Sequence, residues 1–329
     1  MTEACEGSVG KRILQYLMRY GMYLIFLLLM IYFSVSNPNF LTFNNLILIL
    51  QQASPHGIAV IGIIFVLTVG GIDISIGRNM FLASTLVGVM TVNVSKNFLD
   101  STAALAACLG IAVAVGIVFG LLNGIIITKF RMVPFITTLA VGSVMRGLGL
   151  TISNTRQFNI TFMSPLASGR IFNIPYVLII FAVLLVVSNY ILRSTTFGRH
   201  LMAIGNDPEN AKKIGINVDR DTILVYVICA VLAALGGILS AGQIGTIAAT
   251  FGEGNEFIAI SAAVVGGASL FGGKATILPG AVVGILLITL ITNGMAMVNA
   301  SPYAYTIVRG AIIFLAVMLD SINYKGVLR

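Results

Sequence analysis

The chain has 329 residues, 58% hydrophobic and only 9% charged, with a mean hydropathy of +1.02 and a net charge of +8. A water-soluble domain carries about 25% charged residues, so this composition excludes a soluble enzyme, a secreted domain and a disordered chain together. It describes a polytopic membrane protein, in which surplus Lys and Arg belong to cytoplasmic loops rather than to a nucleic-acid partner.

A spanning helix needs about 20 apolar residues. The first apolar run, Tyr20–Phe33, follows the polar tail Met1–Arg19. Ser34-Val35-Ser36 offers a small-x-small cleavage site, but everything downstream is membrane-embedded and a retained first helix is expected. Further spans read as Asn44–Val69 (kinked at Pro55), Ile74–Val94, Thr102–Thr128, Pro134–Ile152 and Ile174–Leu192. After a polar stretch come Thr222–Gly245, Phe257–Phe271, Thr276–Val298 and Tyr303–Ser321. The expected fold is an all-α transmembrane bundle of ten helices.

With the N-terminus inside, fourteen Lys and Arg fall on inner segments and three (Lys96, Arg156 and Arg170) on outer ones. That asymmetry places both termini in the cytoplasm. The expected organisation is a cytoplasmic tail over 1–19, a single transmembrane domain over 20–321 and a cytoplasmic tail over 322–329.

The longest polar interruption, 193–221, is cytoplasmic in this scheme. Its centre reads Asn206-Asp207-Pro208-Glu209-Asn210-Ala211-Lys212-Lys213-Ile214-Gly215. Asp207 suits an N-cap, Pro208 the first helical position and Glu209 the positive helix end. Lys212 and Lys213 suit the last turn, and Gly215 the left-handed residue that closes it. The pattern predicts a short self-capped helix, either a plain loop or a docking knob for a cytoplasmic partner.

Gly70-Gly71-Ile72-Asp73-Ile74-Ser75-Ile76-Gly77-Arg78 puts an acid, a serine and three glycines between two apolar runs. Unwound backbone at membrane depth survives only where it is buried in protein or lines a cavity. Asp73 either pairs with Arg78 or faces the cytoplasm. Gly266-Gly267 with Gly273 repeats the spacing of Gly70-Gly71 with Gly77, a pattern of the kind left by an internal duplication. Ser269 lies between those glycines, where Ala268 and Ala275 break the Walker pattern. Arg146 and Arg309 each sit about 9 Å inside a span, either snorkelling outward or lining an interior path. Glu253 and Glu256 occupy the expected outer loop after the seventh span, where an external protein can read them.

No Ser–His–acid set, H-E-x-x-H motif or intramembrane carboxylate pair is present. Cys5, Cys108 and Cys229 make no disulfide framework, and His56 and His200 no metal-ligand spacing. Catalysis lacks its residues, and the alternative of a secondary transporter has only Asp73 and Asp320, both near the cytoplasm, for an intramembrane ion site. The chain needs an external energy source.

Four stretches resemble the permease subunits of bacterial ABC importers for monosaccharides, the ribose/galactose/arabinose/xylose group. They are Asn37-Pro38-Asn39-Phe40-Leu41 with Asn44-Asn45-Leu46; Gly70 through Gly77; Thr196-Phe197-Gly198-Arg199 onward through Gly215-Ile216-Asn217-Val218; and Val264-Val265-Gly266-Gly267-Ala268-Ser269-Leu270-Phe271-Gly272-Gly273. The chain departs from the family at Ile258, where an acid is usual, and at Lys274-Ala275. The resemblance implies a multi-pass protein of the bacterial inner membrane, working as a dimer with a second copy or a paralogue. It also implies a periplasmic sugar-binding protein and a cytoplasmic ATPase that uses ATP and Mg, with no cofactor on this chain. By the same resemblance Asn206 through Gly215 couple to the ATPase. The residues expected in the translocation path or its gate are Gly70, Gly71, Asp73, Ser75, Gly77, Arg146, Gly266, Gly267, Ser269 and Arg309. Glu253 and Glu256 would then receive the binding protein. The competing solutes are nucleosides and branched-chain amino acids.

Overall fold

The computed structural model describes residues 24–94, 102–301, 303–305, 307–308, 310–311, 314 and 318. Both expected tails and Arg309 lie outside the described residues.

Helix α1 spans Leu24–Ser36. It is followed by α2 (Phe43–Thr68), α3 (Ile76–Asn93), α4 (Thr102–Lys129), α5 (Pro134–Ser153), the short α6 (Ser164–Ser168) and α7 (Tyr176–Ser194). Two short helices, α8 (Thr196–Asn206) and α9 (Pro208–Lys213), precede α10 (Val218–Ile244), α11 (Asn255–Val265) and α12 (Val282–Met297). A π-turn over Ile277–Ala281 leads into α12.

Among the described residues, six helices are long and apolar enough to cross a membrane: α2, α4, α5, α7, α10 and the run Ile277–Met297. The expected spans at Ile74–Val94 and Phe257–Phe271 are where the structure differs. Helix α3 has the length but not the apolarity, because Arg78, Asn79, Ser84 and Thr85 interrupt it. Helix α11 stops after eleven residues, where Gly267 turns left-handed at φ +95°. The stretch 193–221 holds α8 as well as the expected capped helix. Thr195 caps α8 by accepting from the Gly198 amide, and its Gly198, Leu201 and Ile204 are buried.

The chain forms two compact units, one of residues 1–49 with 287–329 and one of residues 50–286. In the first, the Asn45 and Asn293 amides pair reciprocally at 3.1 Å. Asn37 donates to the Met297 carbonyl at 2.8 Å, and the Phe33 ring packs on the α-carbon of Gly294. Asn37 and Asn45, which carry part of the family resemblance, thus close this unit by their side-chain amides.

The second unit is organised around α10. Helix α4 lies antiparallel along it through Gly116, Gly120 and Gly124, which face Val231, Val227 and Ile223 in turn. A Cβ on Gly124 would sit 2.8 Å from the Ile223 Cα. Small residues every fourth position let two backbones approach within van der Waals contact, the usual basis of helix pairing without a hydrophobic drive. Helix α2 packs on the same helix with Gly62 against Cys229 and Pro55 against Gly236.

The expected kink at Pro55 is absorbed inside α2, which runs on as one helix. Proline supplies no amide, so the Gln51 carbonyl loses its helical partner. Gln243 of α10 donates its side-chain amide to that carbonyl at 2.8 Å. Phe81, Leu82, Val141, Met145, Ile160, Met163 and Ile238 form the main apolar core between α3, α5 and α10. Strand Phe158–Asn159 pairs antiparallel with Thr246–Ile247 just after Gly245 caps α10.

Candidate functional site: two glycine turns and a charged cavity

Between α2 and α3 the chain turns at Gly70 (φ +75°) and runs without regular structure to Ser75, and Asp73 within it is 1% exposed. Asp73 Oδ1 accepts from the Ser75 amide at 2.8 Å and from the Ser75 hydroxyl at 2.6 Å. Asn123 of α4 donates to Ser75 Oγ at 3.1 Å, and the Ile74 amide donates to Thr138 Oγ1 of α5 at 3.1 Å. Unpaired backbone would be costly here, and side chains from two neighbouring helices satisfy it. Asp73 therefore neither pairs with Arg78 nor faces solvent.

Arg78 turns the other way. It donates to Glu256 Oε1 of α11 at 3.2 Å and to the Ile74 carbonyl at 2.9 Å. Arg146 pairs with Glu253, donates to the Phe251 carbonyl at 3.3 Å and lies 4.6 Å from the Phe81 ring centroid. Between the two ion pairs is a cavity of about 300 Å³ lined by Gly77, Arg78, Ser143, Arg146, Glu253 and Glu256. Burial is graded across it: the Glu253 side chain is 59% exposed and that of Glu256 only 6%. Gly142, next to this cavity, lies about 12 Å along α5 and Arg146 about 18 Å along it, so the cavity sits near the middle of that helix. The Arg146 side chain is 20% exposed.

Glycines make the geometry possible. A methyl on Gly77 would overlap the Gly252 carbonyl and Glu256 Oε2, so the start of α3 and the loop before α11 meet backbone to backbone. At one end of this unit, Gly70, Gly205, Gly272 and Gly273 form a second close approach. The Gly273 amide donates to the Thr68 carbonyl at 3.0 Å, and a Cβ on Gly272 would lie 2.7 Å from the Gly205 carbonyl oxygen. Gly70, Gly272 and Gly273 all have positive φ. The repeat spacing therefore does not carry equal geometry. Gly77 is helical and buried on Gly252, whereas Gly273 is left-handed in a loop. Gly266 instead abuts the Gly280 carbonyl, and Ser269 folds its own loop by accepting from the Phe271 amide at 3.2 Å.

Helix α9 begins two residues after Asn206, which packs on Gly273. Asp207 Oδ1 accepts from the Glu209 and Asn210 amides, each at 3.0 Å. Glu209 stands in the first turn and Lys212 and Lys213 in the last. Gly215 is left-handed at φ +88°. Ala211 is buried against the protein, while Ile214 is 75% exposed. The capped local structure matches the sequence pattern residue for residue.

The structure thus joins Gly77 and Arg146, expected in a path, with Glu253 and Glu256, expected to dock a protein. Asp73, Ser75, Gly70 and Gly71 lie nearer the end where α9 projects. Arg78, counted by sequence among loop cations, is missing from the expected site. The one signal for it was an arginine and a glutamate each placed at the start of an apolar run.

Long apolar helices, interrupted backbone and charged groups inside a cavity are the features of a membrane transport protein. The chain belongs to the family of branched-chain amino acid transport system permease components, matched over residues 45–317. It is 34% identical to the galactose/methyl galactoside import permease protein MglC of Escherichia coli K12, across 95% of this chain and 97% of that protein. It is also 34% identical to the ribose import permease protein RbsC of the same strain (88% and 89% coverage) and to RbsC of Bacillus subtilis 168 (91% and 92%). No solved structure matches the chain.

Proposed function

We propose that the chain is the membrane-spanning permease subunit of an ATP-driven importer, passing a monosaccharide delivered by a periplasmic binding protein across the inner membrane. Energy comes from a separate ATPase seated on the 193–221 loop, which uses ATP and Mg; this chain binds neither. The relatives named for galactose and ribose import support the substrate class. In this reading the long apolar helices cross the bilayer, both termini are cytoplasmic, and two permeases face each other.

The observation that carries the mechanism is the glycine contact beneath α9. Helix α8 ends at Asn206 against the turns at Gly70 and Gly272-Gly273, and those turns sit beside the interrupted segments that lead to Asp73 and follow Glu256. A push on α9 has a short rigid route to both halves of the charged cavity. Closely packed backbone has no slack to absorb such a displacement. ATP-driven closure of the ATPase would thereby shift the path between outward- and inward-open states.

Reconstitution with a cognate ATPase and binding protein tests the proposal. ATP-dependent accumulation of D-ribose or D-galactose is the expected result. The family's description favours one second reading, import of a branched-chain amino acid, and accumulation of L-leucine instead would establish it. Accumulation by this chain alone, without nucleotide, would overturn both.

A further inference from the structure

The cavity between the two ion pairs has the chemistry of a ligand site, and we infer that it is a transit site for a neutral polyhydroxylated solute, a single sugar ring. This rests on the import reading above and adds to it a place inside the permease where the sugar is held.

Size comes first. A volume of about 300 Å³ is at the lower end of cavities that hold small organic ligands. Charge comes second. Two arginines face two glutamates, so the lining is formally neutral. A hydroxyl both donates and accepts and can bridge a guanidinium to a carboxylate while each ion keeps its partner nearby. A singly charged solute must instead displace one partner and strand the other, which is costly in a buried setting.

The third argument is the wall itself. Its residues are charged, hydroxyl-bearing or glycine, with Gly252 and Gly254 completing the set. Among the described residues no aliphatic side chain lines it, so a branched amino acid would have little apolar surface for its side chain. A fourth observation points to a missing donor: Glu256 is 4% exposed, yet its Oε2 has no hydrogen-bond partner. Buried carboxylate oxygens are ordinarily satisfied. That oxygen lies against Gly77 in the cavity wall, and a turn of the carboxylate away from Gly77 presents it to a sugar hydroxyl entering from the exposed Glu253 side. Arg146, braced on Phe81, offers its remaining N–H groups from a fixed plane.

The test is a protection assay on the purified permease in nanodiscs, with Ser143→Cys placed in the cavity and Cys5→Ser in the background. Cys108 and Cys229 are buried. A charged methanethiosulfonate modifies the cysteine, and D-ribose, D-galactose, L-leucine or sodium chloride is added at high millimolar concentration. The expected result is severalfold slower modification with D-ribose or D-galactose and no change with leucine or salt. Glu256→Gln should raise the sugar concentration for half-protection about tenfold or more, the loss of one charge-assisted hydrogen bond. Glu253→Gln, at the open mouth, gives the same direction of change without touching a buried group. Equal protection by leucine, no protection by either sugar, or protection unchanged in both variants would overturn the site. Accumulation by the intact transporter is measured in parallel. Sugar import without protection removes the cavity site alone, whereas protection without ATP-driven import removes the import reading and leaves the site.

Discussion

The Gly273 amide donates to the Thr68 carbonyl at 3.0 Å, tying the loop after α11 to the last turn of α2. Gly205 at the end of α8 rests on the same carbonyl, and a Cβ there would overlap it. Three distant segments share one point because two of them bring glycine to the Thr68 carbonyl. That point lies next to the loop proposed to receive the ATPase.

Gly205→Ala should uncouple the transporter. The added methyl must push α8 off the two turns, at a cost of about 1–3 kcal/mol for overpacking. ATPase co-purification is expected to persist while sugar uptake falls about tenfold or more. Wild-type uptake in the variant would show that the contact transmits nothing.

The cap of α9 gives a second prediction. Asp207→Ala removes the carboxylate oxygen that accepts from two first-turn amides, worth about 1 kcal/mol of local helix stability. Gly215→Pro forbids the left-handed closure at φ +88°. Both variants, and Glu209→Lys at the positive helix end, should insert normally but lose uptake, read by membrane fractionation and transport. Unchanged uptake with normal ATPase recovery would reduce α9 to an ordinary loop.

Gly120→Leu should be severely destabilising. Its side chain has to enter the backbone of α10 at Val227, where a Cβ already lies 2.5 Å from the Val227 Cα. The helices must separate, and packing along Gly116 and Gly124 is lost with them. A marked fall in thermal stability in detergent is expected. Gly110 has open space around it, so Gly110→Leu serves as the tolerated control.

Pro55 and Gln243 form a testable couple. Gln243→Ala strands the Gln51 carbonyl and should cost about 1–3 kcal/mol. Pro55→Ala restores the amide that a helix supplies there, so the loss from Gln243→Ala should shrink in the double variant. A double-mutant cycle on thermal unfolding measures the coupling; strict additivity would mean that the side-chain bond contributes nothing.

Arg146→Ala removes the partner of Glu253 and the group lying over Phe81. Uptake should fall while assembly with the ATPase stays intact, because Arg146 lies along α5 from the α9 end. Full uptake would return Arg146 to a passive role.

Much of this protein was legible along the chain. Composition alone placed it in the membrane, since apolar excess is a bulk property that no arrangement of contacts can reverse. The α9 cap was readable because Asp207 and the amides it accepts from are two and three residues away, and so was the left-handed Gly215. Tertiary structure alone decided what lay far apart. Arg78 meets Glu256 across 178 positions, Gln243 answers the carbonyl that Pro55 leaves open, and Asp73 turns to Ser75 rather than to Arg78. It also separated Gly77 from Gly273 despite their matching spacing. Local motifs are set by the backbone within a turn or two, whereas the partner of a buried charge depends on which helix faces come together, and no single segment contains that information.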